Sequence, residues 1–182
     1  PNPRQVNRLQ LEVDRLLGSE PIASLEQLKE TDEPETTVAM ELIAASFNVI
    51  FFINPLLARW LGCLAVRLTL QQGRTAAWPV CLVYYAYSQH GQRRLHHLAN
   101  ALCRHALALA NEQSPPYRRY VVHNAELMSR IWVMPMFEFV DLWPQVVEQL
   151  VYEGELNIAG IGMGHHAMIS IQSGLSLELA LE

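Results

Sequence analysis

The sequence predicts an all-α protein in which antiparallel helical hairpins stack on one another. Apolar side chains recur at steps of three and four residues through most of the chain, and this spacing gives a helix one apolar face. The second helices of successive hairpins begin about forty residues apart, near Pro55, Gln92, Met136 and Ser176. That interval is typical of helical-hairpin repeats. No segment alternates apolar and polar residues between turn signals, so no β-strand is predicted.

Composition indicates a folded domain without a nucleic-acid-binding surface. The 182 residues are 51% hydrophobic and carry a formal net charge of -5, so the chain is long and apolar enough to bury a core. Lys29 is the only lysine and no basic run is present; proteins that bind nucleic acid usually present a basic surface. We expect residues 1–182 to form a single helical domain that is a fragment of a longer polypeptide.

The N-terminal region predicts two short helices. Residues 4–17 place apolar side chains on one side of the first helix, namely Val6, Leu9, Val13, Leu16 and Leu17. Gly18 ends this helix, since glycine readily adopts the backbone conformation that follows a helix. Ser24 and Gln27 have the spacing of a capping box and predict a brief second helix.

A first hairpin is predicted over residues 34–73. Asp32 is the expected cap of its first helix, which runs to Ile53 because the next residue precedes a proline. Pro55 opens the second helix, since proline is favoured in the first turn, and this helix ends near Gly73.

A second hairpin is predicted over residues 75–113, with the reversal at Gly91. Apolar residues go most of the way round its first helix, so we expect that helix to be sandwiched between neighbours. The second helix has an apolar face made of Leu95, Leu98, Leu102, Ala106 and Leu109. Its opposite face is polar and consists of Arg93, His97, Asn100 and Arg104.

A third hairpin is predicted over residues 117–153, with Trp132 among the side chains on its inner side. Its second helix begins near Met136, and Pro144 within it predicts a kink or a break, because proline cannot donate the helical hydrogen bond. The remaining residues, 155–182, predict one more helix and the start of another, which together make an incomplete fourth hairpin.

The cysteines and the longest uncharged run indicate a cytoplasmic protein. Cys63, Cys81 and Cys103 fall inside helical patterns without a C-x-x-C spacing, so we expect reduced, buried thiols. The uncharged run over residues 42–58 contains the pair Asn54–Pro55. This pair divides the run into two helices, so no membrane span is predicted.

No motif predicts an enzyme or a cofactor. The chain lacks the patterns G-x-x-x-x-G-K-[ST], H-E-x-x-H and G-x-S-x-G, and no G-x-G-x-x-G follows a strand. His96, His97 and His105 share a helix without the three- or four-residue spacing that a zinc site on one helix needs. We therefore expect structural histidines and no metal.

The glycines at positions 160, 162 and 164 have two interpretations. They favour close approach of their helix to a neighbour, because glycine has no side chain. The alternative is contact with a ligand, although the spacing does not match a phosphate-binding loop.

Six short motifs occur in one order along the chain: Leu68–Gly73, Gln89–Gly91, Ala108–Ala110, Trp132–Pro135, Tyr152–Glu155 and Ser173–Leu177. In that order they resemble the tetratricopeptide-like helical region of large multidomain signalling proteins, and the resemblance extends from Leu17 to the end. In those proteins a Ser/Thr-kinase-like domain and an AAA-type ATPase precede the region, and GAF and histidine kinase or cyclase domains often follow it. This chain has Gly154–Glu155 where the family usually has glycine-aspartate.

The resemblance implies a right-handed α-solenoid that serves as a non-catalytic scaffold or regulatory segment. Any ATPase or kinase activity would then lie in domains outside these residues. The expected partners are another protein or adjacent domains of the same chain, and a homo-oligomer is compatible with the same surface.

Two hypotheses of function follow. In the first, the polar face of Arg93, His97, Asn100 and Arg104 receives an acidic helix or peptide; the alternative for these residues is an ordinary solvent-exposed face. In the second, a small effector binds in an aromatic pocket near Trp78, Tyr84, Tyr120 and Trp132 and regulates an adjacent ATPase or kinase. A deep pocket with converging polar groups would favour the second hypothesis, and a shallow groove with an uncovered apolar patch would favour the first.

Overall fold

The protein is all-α in the part that the computed structural model describes, which is residues 1–93 and 95–173, with only the backbone described at 91–93. The helices are α1 (Pro3–Leu17), α2 (Pro21–Glu26), α3 (Pro34–Ile53), α4 (Pro55–Gln72), α5 (Trp78–Arg93), α6 (His96–Glu112), α7 (Arg119–Arg130), α8 (Trp143–Tyr152) and α9 (Leu156–Gln172). Two 3-10 turns, Met136–Glu138 and Val140–Leu142, precede α8. The predicted end of the fourth hairpin, residues 174–182, lies outside the described residues.

The starts of the first four helices follow local sequence signals. Each begins with a proline in its first turn, a position where the missing N–H costs nothing. Asn54 ends α3 and caps α4, since its Oδ1 accepts a hydrogen bond of 3.0 Å from the N–H of Leu57. Helices α3 and α4 therefore occupy the residues predicted for the first hairpin.

Two predicted caps are wrong. Glu33, not Asp32, caps α3, because its carboxylate accepts a hydrogen bond of 2.7 Å from the N–H of Thr36. Ser24 lies inside α2, and its hydroxyl donates to the carbonyl of Leu17 at 2.9 Å. Helix α2 begins at Pro21 instead, and Glu20 before it makes no side-chain capping hydrogen bond.

The second hairpin differs from its prediction at the reversal and in the face of α6. Helix α5 continues through Gly91 to Arg93, and α6 begins at His96. The buried residues of α6 are Ala99, Leu102, Cys103, Ala106 and Ala110, whereas Leu95 is 37% exposed. The buried face is rotated from the predicted one because α6 packs against α5 and α7 together.

Proline and glycine signals near the C-terminus resolve into specific structures. Pro144 marks a break, since α8 starts beside it after the two 3-10 turns. A Cβ atom on Gly162 would lie 2.9 Å from Asn124 Oδ1 and 3.1 Å from Val147 Cγ2, so α9 does pack closely there. A Cβ atom on Gly160 or Gly164 would have no neighbouring atom within 4 Å, so the close-approach prediction is wrong for these two.

Successive helices pack against each other from α3 to α9, and α1 packs on α4. Helices α3, α5, α7 and α9 also contact one another in series, which places them in one layer. The buried apolar residues form two clusters. The larger one, the N-terminal core, joins α1–α6 to two residues of α7, and the smaller one, the C-terminal core, joins α7–α9 and the 3-10 turns.

Helix α5 is the centre of the N-terminal core. Every residue from 77 to 86 is buried, because α5 contacts α3, α4, α6 and α7. The prediction that this helix is sandwiched between neighbours is confirmed. Helix α3 lies at the edge of the layer instead. It is apolar enough to cross a membrane by length and composition, with a mean hydropathy of 1.8, yet only 28% of that stretch is buried in the protein.

Candidate functional site

A pocket of about 690 Å³ opens between the N-terminal and C-terminal cores. Its walls come from α3, α5, α7 and α9, with contributions from the start of α6 and from Trp132 after α7. Six of the lining residues are aromatic, namely Phe47, Phe51, Phe52, Tyr84, Tyr87 and Trp132. Five more are polar, namely Asn48, His90, His96, Asn124 and His165.

One wall of the pocket is an aromatic stack between α3 and α5. The rings of Phe47 and Tyr84 are nearly parallel, with centroids 3.8 Å apart and an interplanar angle of 3°. The hydroxyl of Tyr84 donates to the carbonyl of Ala44 at 3.3 Å. Burial raises the pKa of Tyr84, so the phenol stays neutral at physiological pH. This wall is rigid, apolar and uncharged.

A pair of histidines and a tryptophan line another part of the pocket. The Nδ1 atoms of His90 and His96 are 3.1 Å apart, so one ring donates a hydrogen bond and the other accepts it. Trp132 stacks on His96 with ring centroids 4.9 Å apart and an interplanar angle of 8°. The exposed Trp132 therefore lies over the histidine pair at the rim.

In the histidine pair, His90 is neutral at physiological pH. Burial, followed by repulsion from His96, lowers the pKa of His90 to about 4. Its Nε2 is buried without a hydrogen-bond partner in the described part of the chain. Burial also lowers the pKa of His165 on α9. Among the described residues that line the pocket there is no Asp, Glu, Lys or Arg, so this part of the lining is polar in places but uncharged.

The position of Asn124 on α7 is set from the C-terminal core. Its Oδ1 accepts a hydrogen bond of 3.0 Å from the indole N–H of Trp143. Because Gly162 of α9 packs against the same oxygen atom, α7, α8 and α9 meet at this amide. The C-terminal core thereby holds one polar side chain of the pocket in a fixed orientation.

An ion pair outside the pocket joins three of its walls. The guanidinium of Arg118 donates two hydrogen bonds to Glu155, at 2.6 and 3.0 Å, and a third to the carbonyl of Ala44 at 3.0 Å. Arg118 precedes α7, Glu155 precedes α9 and Ala44 lies on α3. Such two-point contacts fix geometry as well as contributing energy, so this pair sets the spacing of α3, α7 and α9.

Two of the four residues predicted for an effector pocket line the observed one. Tyr84 and Trp132 are in its wall. Trp78 is instead fully buried in the N-terminal core, and Tyr120 packs against the C-terminal core, with the guanidinium of Arg119 4.6 Å from its ring centroid. Sequence reasoning did not select Phe47, His90, His96, Asn124 and His165. A histidine within an otherwise apolar helix was the available signal for His90.

The predicted polar face of α6 is not continuous. His97 and Arg104 are exposed, whereas the amide of Asn100 donates to the hydroxyl of Ser129 at 2.8 Å and so belongs to the junction with α7. The side chain of Arg93 lies outside the described residues. The structure therefore brings two of the four residues onto one solvent-exposed surface.

Thiol and metal chemistry have no structural basis in the described region. Cys63, Cys81 and Cys103 are buried and form no disulfide. Burial raises the pKa of Cys81, and it raises the pKa of Cys103 to about 12, so neither is a thiolate at neutral pH. No group of three or more His, Cys, Asp or Glu side chains suited to a metal ion occurs among the described residues.

Comparison with known proteins leaves the pocket as the main guide to function. No family model, curated protein or solved structure significantly matches the chain. The likeness to the tetratricopeptide-like region of signalling proteins therefore stays a prediction from the six motifs.

Proposed function

We propose that this domain is a non-catalytic sensor that binds a small, uncharged and largely apolar molecule in the pocket and thereby regulates adjacent domains. The observation that carries the proposal is the pocket of about 690 Å³ between the two cores, with aromatic walls and a few polar groups. Small-molecule sites are typically apolar concavities of about 300–1,000 Å³ with a small number of polar groups that orient the ligand.

The walls favour a planar ligand with one polar end. The Phe47–Tyr84 stack and the Trp132–His96 stack offer flat apolar surfaces, against which an aromatic ring packs well. Neutral His90 and Asn124 supply hydrogen-bonding groups without a net charge. A charged ligand would lose its hydration and find no opposite charge among the described lining residues, so charge is expected to weaken binding.

A binding role is better supported than a catalytic one. The hydroxyl of Tyr84 has a hydrogen-bond acceptor in Ala44 and a raised pKa, so it is a poor nucleophile. No cysteine or carboxylate is among the described lining residues, which removes the usual partners of a catalytic histidine. The sequence also lacks the common catalytic motifs.

The proposed arrangement of the hairpins is a right-handed α-solenoid of the tetratricopeptide-like type. The serial contacts of α3, α5, α7 and α9 support it, since repeat helices of one kind form a single inner layer in such folds. The pocket then lies on the inner layer, where adjacent domains or another protein would register its occupancy. We place this regulatory domain in the cytoplasm, without a role for nucleic acid or a membrane.

Fluorescence titration with an uncharged apolar dye, N-phenyl-1-naphthylamine, tests the proposal. We expect one dye molecule to bind per chain with a dissociation constant in the micromolar range, about 1–50 µM. Ile161→Trp should weaken binding at least tenfold, because Ile161 lines the pocket and the indole would occupy part of it.

Ile171→Trp is the matched control for this experiment. Ile171 lies on the same helix, is 58% exposed and is not in the pocket wall, so dye binding should stay unchanged. The related anionic dye 1-anilinonaphthalene-8-sulfonate should bind more weakly than the uncharged dye. Equal dye binding by the wild type and Ile161→Trp would contradict the proposal.

A protein-interaction scaffold is the second candidate, and a different observation favours it. The discontinuous polar face of α6 gives it little support. Helix α3, in contrast, exposes large apolar side chains away from the pocket, among them Leu42 and Val49, which are 65% and 58% exposed. Uncovered apolar patches of this kind commonly mark a protein-binding surface.

A further inference from the structure

The outer face of α3 carries an unusually regular apolar stripe. Its residues are Val38, Leu42, Ala45, Val49 and Phe52. The four large ones are 56%, 65%, 58% and 69% exposed, in that order, and Ala45 is exposed as well. We call these five residues the α3 seam. They lie on the side of the helix opposite its buried residues, which include Met40 and Phe47.

The spacing of the α3 seam is that of a coiled coil. Its members are separated by four, three, four and three residues, a repeat of 3.5 that keeps a narrow apolar line facing one partner helix. A helix face that packs against a globular core needs a wider stripe. The seam therefore fits a single helix of matching repeat.

The α3 seam is complementary to itself when two copies run in opposite directions. With Ala45 opposite Ala45 of the second copy, Leu42 meets Val49 and Val38 meets Phe52. The small residue then lies at the centre, where the helices come closest, and the larger residues lie at the ends. We propose that α3 pairs with α3 of a second copy of this chain as an antiparallel two-helix interface centred on Ala45.

The charges beside the seam favour the antiparallel arrangement. Glu35 and Glu41 flank the seam and are exposed, and α3 has no Lys or Arg. In a parallel pair Glu35, which precedes Leu42 by seven residues and is in line with it, would lie opposite Glu35 of the second copy, and like charges at that distance repel. In the antiparallel pair the two Glu41 side chains are eight residues apart along the axis, about 12 Å. That separation exceeds the screening length of about 8 Å at physiological ionic strength.

A lipid bilayer is the other apolar environment to consider for α3, because this helix is long and apolar enough to cross a membrane. Insertion across a bilayer would remove Met40 and Phe47, both at most 2% exposed, from the N-terminal core. It would also bury Glu35 and Glu41, which is costly in lipid. The seam is therefore better matched to a helix, and lipid binding becomes an outcome that the experiment must distinguish.

Sedimentation equilibrium over about 1–100 µM protein tests the pairing. We expect a weak dimer, since an interface of two short helices is small compared with that of permanent dimers. Leu42→Asp should raise the dimer dissociation constant about 100-fold, because the substitution enters the interface from both copies. Leu156→Asp is the matched control: Leu156 is 66% exposed on α9, and this variant should dimerise like the wild type.

Disulfide trapping tests the direction and the centre of the pair. The native cysteines are buried, so mild oxidation reports on introduced thiols. A45C should form a covalent dimer by itself; V38C and F52C should crosslink when mixed, and V38C alone should not. Self-crosslinking of V38C would indicate a parallel pair and overturn the antiparallel interface.

Two further results would overturn the proposal. One is a monomer at all concentrations in the wild type, and the other is flotation of monomeric protein with phosphatidylcholine vesicles. This inference does not rest on the pocket. Phe52 belongs to both the α3 seam and the pocket wall, whereas Leu42 belongs only to the seam. Normal dye binding by Leu42→Asp would separate a failure of pairing from a failure of ligand binding.

Discussion

Helices α5 and α9 are both rich in apolar residues and meet very different surroundings. Residues 77–86, from just before α5 through its first half, are all buried. In α9, several large apolar side chains remain exposed, namely Leu156, Met163, Met168 and Ile171 at 66%, 59%, 41% and 58%. The difference lies in the neighbours, since α5 contacts four other helices and α9 contacts α7, α8 and the two 3-10 turns.

This contrast explains where the pocket forms. Around the start of α5 the helices surround one another and leave no room, as in a close-packed protein interior. Around α9 the packing is one-sided, and the C-terminal core meets the N-terminal core mainly through α7 and the Arg118–Glu155 pair. A cavity between α3, α5, α7 and α9 results. Four predictions test this contrast between the tightly packed start of α5 and the partly exposed α9.

Matched leucine truncations should show the largest difference between the regions. Leu82→Ala in α5 removes a fully buried side chain and should lower the free energy of unfolding by about 2–5 kcal/mol, since it leaves a cavity. Leu156→Ala in α9 should change it by less than about 0.5 kcal/mol, because this residue is mostly exposed. Urea denaturation measures both, and equal losses would refute the contrast.

Removing the Arg118–Glu155 pair, which connects the two cores, should have the next largest effect on the free energy of unfolding. Arg118→Ala loses both hydrogen bonds to Glu155 and the one to Ala44, so we expect a loss of about 1–3 kcal/mol. Amide hydrogen exchange should accelerate in α9 and stay slow in α5. Arg118→Lys keeps the charge without the two-point geometry and should be intermediate; uniform acceleration across all helices would argue against a specific link.

Acid should weaken the fold through histidines that are buried or half-buried. Burial lowers the pKa of His90 from 6.5 to about 4, and the pKa values of His105, His123 and His165 are also lowered chiefly by burial. The unfolded chain then binds more protons than the folded one between these values, so stability falls as pH falls. For His90 alone we expect a loss of about 1–2 kcal/mol from pH 7 to pH 5.

Denaturation of His90→Gln at both pH values measures this contribution. The variant should lose less stability on acidification than the wild type, because it has no proton to gain at that site. His97→Gln replaces an exposed histidine and is the matched control for the substitution itself. An unchanged slope in His90→Gln would show that His90 does not resist protonation.

The glycines of α9 should give the smallest effects, with opposite signs. The methyl group added by Gly160→Ala would have no neighbouring atom within 4 Å. This substitution should stabilise the protein by about 0.5–1 kcal/mol, because alanine has a higher helix propensity than glycine. Gly162→Ala would press on Asn124 Oδ1, and through it on the bond from Trp143. It should cost about 1 kcal/mol. Thermal unfolding of the two variants provides the measurement, and a shared sign would contradict the packing at Gly162.

Helix positions were largely predictable, and the faces of the helices were less so. Prolines and glycines located α1, α3, α4 and α9 to within a residue or two, because these residues act on the local backbone. The buried face of α6 was misplaced because two neighbours compete for it. Trp132 was expected inside and lies at the pocket rim, since α7 ends at Arg130 before reaching it.

The candidate pocket was predicted only in part for a related reason. Tyr84 and Trp132 were selected as aromatic residues near a groove. The spacing of ligands within one helix relates His96 to His97 and His105, but His96 of α6 meets His90 of α5 across the reversal. Asn124 had no sequence signal, because its orientation depends on Trp143 and Gly162 in other helices.

The sequence by itself determined the all-α class, the boundaries of most helices and the burial of α5, because hydrogen bonds and apolar periodicity within one helix are local properties. Only the tertiary structure decided which apolar faces are covered, where the pocket lies and which histidines have a lowered pKa. Those properties depend on contacts between residues far apart in the chain, such as Ala44 with Arg118. The uncovered α3 seam combines both origins: its repeat is written in the sequence, and its exposure follows from the position of α3 at the edge of the layer.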